Sequence, residues 1–151
     1  MDWHLLLFGI KGRISRTDFW LAQFILLIIL LIIAIVGGVV FIDNYEIVFI
    51  IGAIGIFISN ATVVIKRLHD RNLRTSWALI FWFMPCVSAI GIAIGRRPAF
   101  QRIWDSDTDH ILEVVLIITT IVALVELGCR RGTIGANRYG PDPVAPKPAQ
   151  H

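Results

Sequence analysis

Three short polar segments hold the residues of this chain whose types and spacing could do chemistry. The densest is Lys66-Arg67-Leu68-His69-Asp70-Arg71. On a helix, Arg67 shares a face with Asp70 and Arg71, three and four residues on. Asp70 is therefore expected to hold an arginine or to accept from His69, the one histidine placed where titration would matter. A His–Asp neighbour pair falls short of a catalytic site. No serine or cysteine is placed beside it as a nucleophile, and a metal ion would need more ligands than these two. A salt-bridged turn between two apolar segments is the simpler reading.

The second segment, GRISRTDFW at residues 12–20, has Ser15 or Thr17 available to cap a helix. It would set Arg13 and Arg16 at the depth of lipid phosphates. The third, GTIGANRYGPDP at residues 132–143, is too rich in Gly and Pro for a helix and describes a tight turned structure. Gly132-x-x-Gly135 lacks the strand and the Gly-Lys-Ser/Thr of a phosphate loop. Asn137, Arg138 and Tyr139 together suggest a specific turn folded back on the membrane face.

The elements that must position these segments are four apolar runs, at residues 21–42, 47–65, 77–94 and 111–128. The first covers roughly 33 Å as a helix, about one hydrocarbon core. With 56% hydrophobic residues and a mean hydropathy of +0.75, the chain cannot supply a water-soluble surface. The fold class expected is all-α: a polytopic helical membrane protein of about four transmembrane helices. It forms one domain over residues 1–143, followed by a mobile Pro-rich tail at 144–151. The first run is too long for a signal peptide and ends without an A-x-A site, so it reads as an uncleaved span.

The third run contains Pro85 and Gly91 and could be kinked or partly re-entrant. The fourth carries Glu113 and Glu126 near its two ends; thirteen residues apart, they lie about 220° apart on a helix and share no face. Glu126 is placed to pair with Arg130 at i,i+4. Small residues such as Gly37, Gly38, Gly52, Gly55 and Gly91 are expected to let the spans approach.

Lysine and arginine set the orientation. They gather at Lys11–Arg16, at Lys66–Arg74 and at Arg130–Lys147, while the first loop has none. Four spans with both termini cytoplasmic place all three clusters inside. Arg96, Arg97 and Arg102 of the third loop argue mildly the other way. Trp20 and Trp77 stand at span starts, where an amphipathic ring is favoured, and Trp82 reads as core. The net charge of +3 suits an anionic membrane leaflet better than nucleic acid, and no nucleic-acid partner is expected. Cys86 and Cys129 lie at different depths and fit neither a disulfide nor a metal site, so no metal or cofactor is expected.

The motifs GRISRTDFW, Arg67-Leu68-His69-Asp70 and Asn137-Arg138-Tyr139-Gly140-Pro141-Asp142-Pro143, in that order around hydrophobic spans, resemble the family known as domain of unknown function 805. These are small integral inner-membrane proteins of bacteria. The resemblance runs from about Trp3 to Pro143 and implies a multi-pass inner-membrane location without supplying an activity. Arg74-Thr75-Ser76-Trp77 stands where the family usually has a Ser-Gly-Trp-like stretch.

Three functional classes follow. The leading one is a non-enzymatic membrane protein whose cytoplasmic face gathers Arg13, Arg16, Arg67, His69, Asp70, Asn137 and Arg138. That cluster either binds an anionic headgroup or partner or holds the motifs together. The alternative is a subunit of a small transporter or channel, a homo-oligomer with Asn60, Thr62, Glu113 and Glu126 facing an interior. The least supported is a lipid-modifying enzyme built on His69 and Asp70.

Overall fold

A computed structural model describes residues 7–40, 45–95 and 106–145. The Pro-rich end at 146–151, the first loop at 41–44 and the third loop with Arg96, Arg97 and Arg102 lie outside the described residues. Helix α1 spans Arg16–Val40, α2 spans Tyr45–Asp70, α3 spans Met84–Gly95 and α4 spans Ser106–Ala123. A 3₁₀ turn at Thr75–Trp77 and a π turn at Leu79–Phe83 lead into α3, and a second π turn at Leu124–Cys129 ends α4. Among the described residues, four helices are long and apolar enough to cross a membrane.

Each helix boundary has a chemical cause. The first helix begins at Arg16, five residues before the apolar run, because Ser15 caps it. The Ser15 hydroxyl accepts from the Asp18 N–H at 3.1 Å and donates to the Asp18 carboxylate at 2.8 Å, while the Ser15 N–H reaches that carboxylate at 3.4 Å. This reciprocal arrangement is a capping box. Ser15, not Thr17, is the cap. Ser15→Ala is expected to cost about 1 kcal/mol, measured by thermal unfolding in detergent; a change indistinguishable from that of Thr17→Ala would contradict the assignment.

Helix α2 continues past its apolar run through the whole Arg67–Asp70 motif. It stops where Asn72 takes a left-handed φ of 57°, a conformation asparagine tolerates. The Asn72 N–H reaches the His69 carbonyl at 3.0 Å and the Leu73 N–H the Leu68 carbonyl at 2.9 Å, the two bonds of a Schellman motif. In the third span, Pro85 removes a backbone donor and its ring crowds the preceding turn. The wider π turn at Leu79–Phe83 absorbs that defect, so the helix remains continuous to Gly95.

The spans pair as two hairpin-like couples, α1 against α2 and α3 against α4, and the π turns join one couple to the other. Gly52 marks a close approach between α1 and α2: a β-carbon there would lie 2.7 Å from the Ile33 side chain. Gly38 and Gly55, expected at such contacts, face open space. The buried cluster is Ile14, Phe19, Ala22, Val63, Val64, Leu68, Phe81 and Leu127. It draws on the start of α1, the end of α2 and the end of α4, so the tightest packing sits at one end of the bundle. The flanks of the spans are apolar and bare, with Val39 70% and Ile51 66% exposed. Surfaces of that kind are stable against lipid and unstable against water.

Candidate functional site: an arginine–aspartate cap at one end of the bundle

The start of α1, the end of α2 and the segment after α4 meet over that core. Their junction is Asp70, the last residue of α2. Arg13 reaches one of its carboxylate oxygens twice, through Nε at 3.1 Å and Nη2 at 2.9 Å. Arg67, one turn back on α2, donates to the other oxygen. The three side chains are 1%, 4% and 0% exposed for Arg13, Asp70 and Arg67. Burying charges this completely is favourable only when each is paired and hydrogen-bonded.

The remaining guanidinium donors end on backbone carbonyls. Arg13 Nη1 reaches Gly135 at 2.7 Å and Gly140 at 3.3 Å, and its Nη2 reaches Thr133 at 2.6 Å. All five N–H groups of Arg13 are thereby used. Arg67 Nε donates to Leu127 at 2.6 Å, Nη1 to Ile14 at 3.2 Å and Nη2 to Arg130 at 2.6 Å. Two cations face one carboxylate, and the oxygen ends of six peptide dipoles offset the surplus charge. Arg16 adds a bond to the Cys129 carbonyl at 3.2 Å. Cations are favoured there, at the C-terminal end of the α4 segment.

The third motif wraps over the end of α2. The Asp70 carbonyl accepts from the Thr133 N–H at 2.8 Å and from the Thr133 hydroxyl at 2.9 Å. Gly132 is required beside it, since a β-carbon would lie 2.6 Å from an Asp70 carboxylate oxygen and closer still to its neighbours. Asn137 donates to the His69 carbonyl at 2.9 Å and to the Thr133 hydroxyl at 2.8 Å. Arg138 donates to Asn72 at 3.1 Å and the Tyr139 hydroxyl to Leu73 at 2.9 Å. Those two carbonyls belong to the residues that follow the helix in the Schellman turn. Asp142 closes the loop by accepting from the Gly135 and Val144 N–H groups at 2.9 and 3.0 Å. These two bonds, Val144 first, hold its carboxyl below the usual aspartate range.

His69 is also held internally. Its ring stacks on Tyr139, with centroids 3.9 Å apart and planes 9° from parallel. Nδ1 meets the Gly12 carbonyl at 3.3 Å and Nε2 the Thr75 hydroxyl at 3.1 Å. A carbonyl can only accept, so Nδ1 carries the proton and Nε2 of the neutral ring accepts from Thr75. The expected alternative of a His69–Asp70 hydrogen bond is replaced by these partners. Glu126, assigned to a channel interior in the transport reading, pairs instead with Arg130 and with Arg71, the latter at 3.3 Å. Among the described residues, no three His, Cys, Asp or Glu side chains gather as a metal site would require.

All seven arginine-cap candidates thus lie at one end of the molecule, but they divide into two groups. Arg13, Arg67, Asp70, Asn137 and His69 point inward. Arg16 and Arg138 are exposed, joined by Arg130 and Arg131. Arg16, Arg67, Asp70, Arg131, Thr133 and Asp142 line a polar cavity of about 210 Å³. Arg131, Gly132 and Thr133 were not legible as site residues. Arg131 acts from an exposed position and Gly132 by having no side chain, while Thr133 uses its N–H, its carbonyl and its hydroxyl, a combination that only the packed segment assembles.

Four apolar spans carrying a charged cap define a multi-pass helical membrane protein. The sequence profile described as "Protein of unknown function (DUF805)" matches residues 7–141, and the chain belongs to that family. It is 27% identical over 136 residues to the "Uncharacterized protein YiiR" of Escherichia coli K12, covering 90% of this chain and 86% of that one. It is 26% identical to the "Inner membrane protein YhaI" over 153 residues, and 25% identical to the "Inner membrane protein YhaH" over 150 residues, both of the same strain. These alignments cover 95% of this chain in each case, and 96% and 97% of the relatives. No solved structure matches it. The protein is accordingly a multi-pass inner-membrane protein.

Proposed function

We propose that this protein is a non-catalytic membrane component whose cytoplasmic end docks phosphate-bearing lipid headgroups. The observation that carries the reading is the 210 Å³ cavity, with exposed Arg16 and Arg131 on its wall and the buried Arg67–Asp70 pair lining it. In this arrangement Arg13, Arg67, Asp70, His69 and Asn137 are the frame, and Arg16, Arg131 and Arg138 are the contact surface. A planar guanidinium suits phosphate because it can make two parallel bonds. The cavity also offers the Ser15 and Thr133 hydroxyl-bearing residues on its wall.

Charge supports the orientation. Ten of the fourteen basic residues (Lys11, Arg13, Arg16, Lys66, Arg67, Arg71, Arg74, Arg130, Arg131 and Arg138) belong to the capped end. Among the described residues, Asp18, Asp70, Glu126 and Asp142 are the acids there. By the positive-inside rule that end, with both chain termini, faces the cytoplasm and its anionic leaflet. Internal occupancy of both the His69 ring nitrogens and the Asp70 carboxylate speaks for a frame over a catalytic pair.

The test is native mass spectrometry of the gently solubilised chain with phosphatidylglycerol and, separately, phosphatidylcholine. At about 1 kcal/mol for each basic contact, the double variant Arg16→Ala/Arg131→Ala should lose roughly thirtyfold in phosphatidylglycerol affinity, with only the small drop in melting that loss of the exposed Arg16–Cys129 bond brings. The wild type should prefer phosphatidylglycerol. Equal retention of both lipids, or of phosphatidylglycerol by both proteins, rejects the headgroup site. The same spectra read whether copies associate into a homo-oligomer.

A further inference from the structure

Below the cap, the spans line a second, laterally open cavity of about 440 Å³, within the roughly 300–1,000 Å³ of small-molecule sites. All four spans contribute to its wall, through Trp20 and Gln23 of α1, Phe57 and Asn60 of α2, and Trp82 and Leu127 of the two π turns. Among the described residues no charged side chain lines it. Trp20 and Leu124 on its wall are also exposed, so a molecule dissolved in the bilayer can reach it from the side.

The two amides on this wall form a pair, set beside the Thr120 hydroxyl and the Cys86 thiol. Asn60 Nδ2 donates to Gln23 Oε1 at 3.0 Å. One hydrogen bond between two amides leaves a carbonyl on one and an NH₂ on the other, whichever way each group is turned. Both residues are half-buried and both line the cavity. Each sits seven residues from a cap arginine, Gln23 from Arg16 and Asn60 from Arg67, hence roughly 10 Å deeper along its helix. At that depth the hydrocarbon supplies no water to satisfy the remaining donor and acceptor. Both π turns border the same space, and such turns recur where a helix is reshaped around a site.

The geometry points to a binding site for a neutral, membrane-dissolved molecule with a flat, oxygen-bearing ring of the quinone class. Neutrality follows from the uncharged wall, and the flat ring from the aromatic side chains on it, Trp20 and the Phe57–Trp82 pair, whose centroids lie 4.0 Å apart. A ring carbonyl would accept from the amide NH₂, and the hydroxyl of the reduced ring would donate to the amide carbonyl. The reading is independent of the headgroup site, which lies in a different cavity.

The experiment titrates decylubiquinone into the detergent-solubilised full chain and follows tryptophan fluorescence, which Trp20 and Trp82 report from the cavity wall. Two variants test the site: Gln23→Leu/Asn60→Leu keeps the volume and removes the polar pair, and Ala53→Phe fills the cavity from another part of its wall. The wild type should show saturable quenching, and each variant should raise the midpoint at least tenfold while circular dichroism shows an intact helical bundle. Non-saturable quenching of the wild type, as from partition into the micelle, overturns the proposal. So does saturable binding that Ala53→Phe abolishes and the double leucine variant retains, since that behaviour describes an apolar chain site. A variant that fails to fold leaves the decision to the wild-type curve and the other variant.

Discussion

Asp70→Ala is expected to destabilise the protein by about 3–5 kcal/mol, because it leaves Arg13 and Arg67 buried with no counter-charge. Arg13 and Arg67 are 1% and 0% exposed, so neither can recover water without opening the cap. Shortening the side chain also frees the start of α1 and the segment after α4 from their common anchor. The measurement is unfolding of the detergent-solubilised chain, by heat or by titration with a denaturing detergent. Asp70→Asn should fall between wild type and Asp70→Ala, since an amide keeps one acceptor and loses the charge. Removing one of the two cations as well, in Arg13→Leu/Asp70→Leu, should cost less than the sum of its single variants, because members of one network are not additive. A loss below about 1 kcal/mol in Asp70→Ala, the level of an ordinary hydrogen bond, would mean that the triad is not what holds the three motifs together.

Gly132→Ala carries the second largest expected effect, and it isolates sterics from charge. The added methyl would sit against the Asp70 carboxylate, 2.6 Å from its further oxygen and closer to the other atoms. Neither partner can yield: Asp70 is held by two arginines, and Thr133, next in the chain, is bonded to the Asp70 carbonyl. Forcing a methyl into so close a space costs about 1–3 kcal/mol. Gly135→Ala is the control. A β-carbon there meets nothing, but φ is +78°, so only the left-handed backbone cost of about 1–2 kcal/mol applies. The two substitutions part in lipid retention: displacement of Asp70 should also disturb the adjacent polar cavity, which the Gly135 variant should leave intact. Equal loss of phosphatidylglycerol in both, or none in either, would remove the link between Gly132 and the cavity.

How much of this was legible beforehand depends on the range of each interaction. The apolar spans could be read directly, because solubility in hydrocarbon is a property of composition and length, and both are local. The Glu126–Arg130 pair at i,i+4 could be read too, and the cap and the partner of Asp70 were narrowed to two candidates each, Ser15 or Thr17 and an arginine or His69, because all of these lie within one helical turn. The grouping of the three motifs at one end followed from counting spans. Their resemblance to a known family did not supply the chemistry of the contact.

What only the tertiary structure decided is which cations are inside and which are outside. Arg13 and Arg16 stand three residues apart in the same basic segment, yet one is enclosed and the other exposed. Nothing in their residue type separates them. The difference comes from Asp70, 57 residues away, and from carbonyls of Thr133, Gly135 and Gly140 more than a hundred residues on. A backbone carbonyl is the same acceptor at every position, so a site built mostly from carbonyls has no sequence signature. The same holds for the amide pair in the lower cavity: Gln23 looks like an isolated polar interruption of an apolar run until α2 brings Asn60 against it. The sequence by itself therefore determined that this is a helical membrane protein with a basic end. The fold decided that two of its arginines are internal ties, because only packing of distant segments can exclude water from a charge.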